Sequence, residues 1–274
     1  MSTAGTSADP LADLAGLPGV GDTVAAVRQA VDRIYGHRVM RRRGPEVASE
    51  AALRGARASA ALSGADWALE EVRRRSDFGT DDSARTVGAA LRVVAEAGQL
   101  LSVWRQSPLQ VLARLHLVAA AEQDERVGRP RRAGEIPDES FGDLPLLQGD
   151  ELSGRLEGLA RVIVAGSSAP ALVTAAVVHG ELLALRPFVS HNGLVARAAA
   201  RVVLVGGGLD PKSVCPAEVG HAELGRDAML TALQGYVSGT PEGMATWIAH
   251  CGRAVELGAR ESTAVCEAMQ RGAA

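Results

Sequence analysis

The stretch LRPFVSHNGLVAR, residues 185–197, gathers the side chains best suited to phosphate chemistry. A Pro187–Phe188 pair precedes a polar Ser190-His191-Asn192-Gly193 loop, and a helical run carrying Arg197 and Arg201 follows. A loop feeding a helix N-terminus offers unpaired backbone N–H groups and the positive end of the helix dipole, which together favour an anion. Helical side chains lean toward the N-terminus, so Arg197 is expected to reach an anion held there. Arg186 adds a second guanidinium fork. Asn192, Gly193 and Arg197 are therefore the candidate phosphate- or nucleotide-binding residues. Plainer readings stand beside this one: Asn192 as a simple N-cap, and Arg197 with Arg201 as a solvated helix stripe.

Proton and metal chemistry are sparser. His191 is the imidazole of this loop and could act as a base if the loop folds to suit it; its plainer role is to line the loop. His179, on the preceding helical run, is expected to be a buried, hydrogen-bonded structural residue. His116, His221 and His250 fall on helical patterns without an evident partner. The three cysteines, Cys215, Cys251 and Cys266, form no CxxC pair and no ligand spacing with histidine, so no metal site is expected and the thiols read as packing residues.

These residues must be carried on helices. The chain has 274 residues, 47% hydrophobic but only 3% aromatic, so its core must be Ala, Leu and Val. Small side chains let helices approach closely, which favours helix-on-helix packing. Residues 1–20 read as a mobile tail. Val24, Val27, Val31 and Ile34 then recur at helical spacing, with Asp22 or Thr23 as the expected cap. Helical patterns cover 46–75, as one or two helices with Gly55 and Gly64 as weak points, then 81–106, a segment opened by Pro108, 151–166, 170–185, 193–205, 216–237 and 241–270. Residues 124–150, with three prolines and four glycines, form a long loop, with a short β-hairpin as an alternative within it. Strand-like alternation is nearly absent, and the fold class is all-α.

With 29 basic and 32 acidic residues the net charge is −3, which argues against a nucleic-acid binder. No apolar run reaches the roughly 18 residues needed to span a bilayer. The N-terminal stretch lacks the pattern of a signal peptide. The cytoplasm is the expected compartment, and no membrane partner is expected.

The order helix, loop, helix around Pro187 resembles the Fic family, whose fold is called Fido. Its members carry His-Pro-Phe-x-(Asp/Glu)-Gly-Asn-(Gly/Lys)-Arg-x-x-Arg between two helices. Pro187, Phe188, Asn192, Gly193 and Arg197 match without a gap, while Arg186, Ser190, His191 and Leu194 replace the histidine, the acid, a glycine and the first arginine. His179 lies seven residues before the histidine position, as in many members. Residues 54–72 resemble the family's inhibitory helix, (Ser/Thr)-x-x-x-Glu-(Gly/Asn): Ser59 and Gly64 match, and Ser63 stands for the glutamate. GRPRRAGEI sits where the target-docking flap would be, and Tyr236 with MATWIAHCGRAV resembles the closing helices. The resemblance implies one Fido-like domain over 21–274, with its core at about 108–240 and the inhibitory-like helix at about 54–72.

Active members move AMP from ATP onto a protein hydroxyl, using the histidine as base and the acid to hold Mg²⁺. An arginine at 186, with a pKa above ~12, is no base at neutral pH. Ser190 is a poor Mg²⁺ ligand, because hard cations prefer carboxylate oxygen. Leu194 offers the distal phosphate nothing. The family's inhibitory glutamate is expected to pair with the first arginine, and Ser63 and Leu194 occupy those two positions. The resemblance thus implies a pseudoenzyme that binds a protein partner or a nucleotide such as ATP without transferring it. The alternative is a divergent transferase moving a nucleotide monophosphate or another phosphate-containing group, AMPylation-type if active. Fido proteins often pair, so a homodimer is also among the expected partners.

Overall fold

A computed structural model describes residues 9–121 and 126–272, and among these every regular element is a helix. The chain order is α1 (Pro10–Ala15), α2 (Val20–Gly36), α3 (Arg38–Leu62), α4 (Leu69–Arg74), α5 (Asp82–Ala97), α6 (Leu101–Trp104) and α7 (Pro108–Ala120). After the long loop follow α8 (Gly149–Ala165), α9 (Ala171–Leu185), α10 (Asn192–Gly206), α11 (Ala217–Leu224), α12 (Arg226–Ser238) and α13 (Pro241–Gln270).

Local chemistry sets the helix ends. Asp9 caps α1 by accepting from the Ala12 N–H, and its carboxylate also accepts from Ser167 and Ser168. A helix therefore begins at Pro10 where a tail over 1–20 was expected; residues 1–8 lie outside the described residues. Gly19, at φ +78°, precedes α2, so Asp22 and Thr23 fall inside the first turn instead of capping it. Asp81 caps α5 through the Ala84 N–H. Thr240 caps α13 through the Gly243 N–H, with Pro241 at the first turn, where a missing N–H costs nothing. Two expected helices are broken. The 81–106 run divides at Gly98 into α5 and α6, and the 216–237 run divides at Gly225 into α11 and α12.

The division of 46–75 into two helices, at the weak point Gly64, bears on the site. α3 stops at Leu62, and α4 begins only at Leu69. Gly64 takes φ +93°. Ala65 N–H reaches back to Ala60 O and Gly64 N–H to Ala61 O, the paired bonds of a Schellman stop. Gly64→Ala is expected to lower the unfolding free energy by about 1 kcal/mol, since a side chain is disfavoured at that φ; an unchanged urea midpoint would contradict this.

The core is one cluster running from Val20 to Met269. α9 and α10 pack on each other, α13 contacts α2, α9, α11 and α12, and α3 lies against α5, α11 and α13. Small residues permit these approaches: a Cβ added at Gly220 on α11 would sit 2.0 Å from the Ala254 carbonyl of α13. Trp247 is fully buried and donates its indole N–H to Ala176 O at 2.7 Å, joining α13 to α9. No described helix is long and apolar enough to cross a membrane. The loop before α8 contains no strand among its described residues, so the hairpin alternative is not realised; residues 124 and 125 of that loop lie outside the described residues.

Candidate functional site

The loop between α9 and α10 is locked from inside. Arg186 ends α9 in the left-handed region (φ +45°), its N–H bonded to Leu182 O. Phe188 is buried and stacks on the His116 ring, with centroids 4.2 Å apart and planes 5° from parallel. Asn192 uses both ends of its amide on Phe188: Oδ1 accepts from the Phe188 N–H and Nδ2 donates to the Phe188 carbonyl, each at 2.9 Å. The Asn192 side chain thus holds the loop instead of capping α10. The residue preceding α10 is His191 at φ +58°, and its side chain makes no capping bond.

The long loop folds over this motif as a flap. Arg131 N–H donates to Pro187 O and Asp138 N–H to Val189 O. The Arg131 guanidinium, itself buried, donates to the carbonyls of Arg186, Leu185 and Leu147. Arg186 is buried as well, and its guanidinium donates to Leu144 O and Pro145 O at 3.1 and 2.7 Å. Arg186 therefore clasps the flap and is not a second fork for an anion.

At the start of α10 the position suited to an anion holds a carboxylate of the chain itself. Both Glu139 oxygens, from the flap, lie 3.2 Å from the Gly193 N–H. Arg197 attracts the same carboxylate. Burial nevertheless raises the Glu139 pKa above its ordinary 4.5, outweighing Arg197 and the N–H groups of Gly193 and Asn192. Folded Glu139 then binds more protons than the unfolded chain does. Its contribution to stability is present below pH 4.5 and is lost as pH rises through the folded value. Relative to Glu139→Gln, the wild type is expected to lose stability as pH climbs above about 4.5; a stability difference that stays flat with pH would contradict this.

Arg197 is turned toward α3. Its Nε donates to Ser59 Oγ at 2.7 Å, and one terminal nitrogen donates to Ser59 O and Ser63 Oγ at 2.9 Å each. Burial lowers its pKa to about 10, so it remains charged at neutral pH. Ser63 thus faces Arg197, whereas Leu194 points into the core at 2% exposure. This corrects the expected pairing of the inhibitory-helix position with residue 194: the contact reaches three residues further along α10, and its hydrogen-bond partners are neutral oxygens. Arg201, also read as solvated, is buried and forms a two-point ion pair with Glu218 at 3.0 and 2.7 Å.

The polar lip of the loop carries the only hydroxyl of the motif. Ser190 Oγ lies 2.8 Å from His191 Nδ1 and 3.4 Å from His116 Nε2. His116 Nδ1 accepts from the Gly128 N–H, which assigns the ring proton to Nε2. The Ser190 proton is then free to point at His191, whose pKa is lowered by burial and by Arg92. Beside Arg197 a cleft of about 320 Å³ opens, lined by Arg57, Asp66, Phe141 and Arg226 among others.

Of the residues singled out in the sequence, Gly193, Arg197, Ser59 and Ser63 come together around one point, and Ser190 with His191 forms a neighbouring cluster. Gly64 acts as the helix stop, and Asn192 as the lock of the loop. Sequence reasoning missed Glu139, Arg131 and Glu218. A carboxylate in a charged, proline-rich loop carries no signal of where it docks. His179 is buried as expected, but its Nε2 has no hydrogen-bond partner.

No family model matches the sequence, and no curated protein matches it. Solved structures do match. A Fic family protein from Desulfovibrio desulfuricans G20 superposes with a TM-score of 0.72 at 18% identity, over 90% of this chain and 75% of that one. Fic-1 from C. elegans gives 0.63 at 13% identity, covering 91% and 73%. A Fic domain containing signaling protein from Bacteroides thetaiotaomicron VPI-5482 gives 0.63 at 12% identity, covering 89% and 98%. The all-helical architecture is thus a shared arrangement: this chain has the Fic, or Fido, fold.

Proposed function

We propose that this chain is a Fic-fold binding protein that does not transfer AMP. The observation that carries this reading is the Glu139 carboxylate on the Gly193 N–H, where a nucleotide phosphate would have to sit. A phosphate must displace a negative charge already held by the helix dipole and by Arg197. Three further features agree with it. The arginine at 186 is buried under the flap and cannot accept a proton. Ser190 brings no charge for Mg²⁺. Leu194 is a core residue. The partner in this reading is a protein, met by the flap, where Ile136 is 78% exposed. The three unpaired, buried thiols fit a reducing cytoplasm.

Labelled ATP with Mg²⁺ or Mn²⁺ and cell lysate is expected to leave no labelled protein. The second reading, a divergent transferase, draws support from the Ser190–His191 contact, which pairs a hydroxyl with a neutral imidazole able to take a proton. Label transfer that disappears in His191→Ala or Ser190→Ala would overturn the first reading in favour of the second.

A further inference from the structure

We propose that His179, His221 and Cys251 form a buried binding site for a zinc-class metal ion, joining α9, α11 and α13. The three residues are 42 and 30 positions apart in sequence, so spacing gives no hint of them. The fold brings one donor atom from each within 4.8 Å of the others, and all three residues are buried. Two imidazoles and a thiolate are the donor set that borderline-soft divalent ions prefer, and zinc sites with this composition are familiar chemistry.

Two further observations favour a ligand over packing. First, His179 Nε2 is buried with no hydrogen-bond partner, although a buried polar atom of this kind is costly to leave unmade. A metal bond would satisfy it. Second, His221 Nδ1 faces His250 Nε2 at 3.3 Å. That contact engages one ring nitrogen from outside and leaves Nε2 for an ion, as outer partners do for metal-bound histidines. His250 in turn stacks on Trp247, with centroids 5.7 Å apart, so the ring pair is braced by the core.

Charge and room are compatible with an ion. A cavity of about 20 Å³, the size of a single water or ion, adjoins the cluster and is lined by His179 and His221. Of the two arginines on its wall, Arg201 is neutralised by Glu218, while Arg197 donates to Ser59 and Ser63 and has its charge offset in part by Glu139 and Glu218. On binding, the Cys251 thiol gives its proton to solvent, and the thiolate offsets half of the ion's charge. With bond lengths of about 2.0–2.3 Å, tetrahedral donors stand roughly 3.5 Å apart, so small side-chain rotations close the set. The adjoining cavity is large enough for one water as a fourth ligand.

The test uses the full chain, stripped with chelator and titrated with Zn²⁺ and with Co²⁺ as a coloured substitute. One equivalent of zinc is expected, together with a cobalt–thiolate charge-transfer band and a raised thermal midpoint. The Cys215→Ser/Cys266→Ser double variant leaves Cys251 as the sole thiol and should keep the band. Cys251→Ser should remove it and weaken zinc binding at least tenfold. Absence of tight zinc or cobalt binding by the wild-type chain, loss of the thiolate band in the double variant, or a Cys251→Ser protein that binds as well as wild type would each overturn the proposal.

Discussion

Arg197→Met is expected to lower the unfolding free energy by about 3 kcal/mol, the scale of breaking a buried charge contact from one side. Arg197 is 5% exposed, and its guanidinium serves three groups at once, Ser59 Oγ, Ser59 O and Ser63 Oγ. Methionine fills much of the volume but satisfies none of them, and it leaves Glu139 without the positive charge that offsets its burial. Part of that cost is relieved because Glu139 sits on the flap, is only partly buried and can take up a proton. Urea unfolding at neutral pH measures the effect, and a loss below 1 kcal/mol would mean that Arg197 is not the tie between α3 and α10.

Glu218→Ala should cost more, about 3–5 kcal/mol, because it strands Arg201. Here both partners are sealed in, with side chains 8% and 3% exposed, and the contact is bidentate. Arg201 has little room to reach water. On the α3 side its terminal nitrogen would lie 2.6 Å from a Cβ at Gly55, so that helix already packs against the guanidinium. The remaining bond to Ser213 Oγ is neutral, and the buried Asp210 carboxylate acts on Arg201 without a hydrogen bond to it. Replacing both partners by apolar residues, Arg201→Met with Glu218→Leu, should recover most of the loss, since neither charge of the pair is then left alone and Asp210 keeps its bonds from Tyr35, Val214 and Cys215. Equal instability of the single and double variants, compared by denaturant midpoint, would show that packing and not charge dominates there.

The sequence and the structure agree most where the periodicity of small apolar residues is strong. The Val27, Val31, Ile34 stripe of α2, the start of α7 at Pro108 and the two helices around the motif are all legible because burial selects one face of a helix. Breaks at Gly98 and Gly225 were not legible, since an isolated glycine can either sit inside a helix or end one. The site was half legible. Gly193, Arg197, Ser59 and Ser63 stood out as parts of two motifs, and they do meet. Their grouping was misassigned, because the register between α3 and α10 depends on tertiary packing that local patterns do not encode. Arg186 looked like a free cation, yet its direction depends on the flap carbonyls of Leu144 and Pro145. Glu139 was invisible for the same reason: a loop has no periodicity from which to read its docked face. The His179, His221, Cys251 cluster shows the limit most clearly, since its members lie on three different helices.

The central claim is that the anion cradle at the start of α10 survives and that Glu139 fills it. The direct test compares wild type with Glu139→Ala by calorimetric titration of ATP with Mg²⁺, and separately of inorganic phosphate. Wild type is expected to show no binding heat, while Glu139→Ala gains affinity for both ligands through the freed Gly193 N–H and Arg197. ATP or phosphate binding to wild type as tight as to Glu139→Ala would contradict the account.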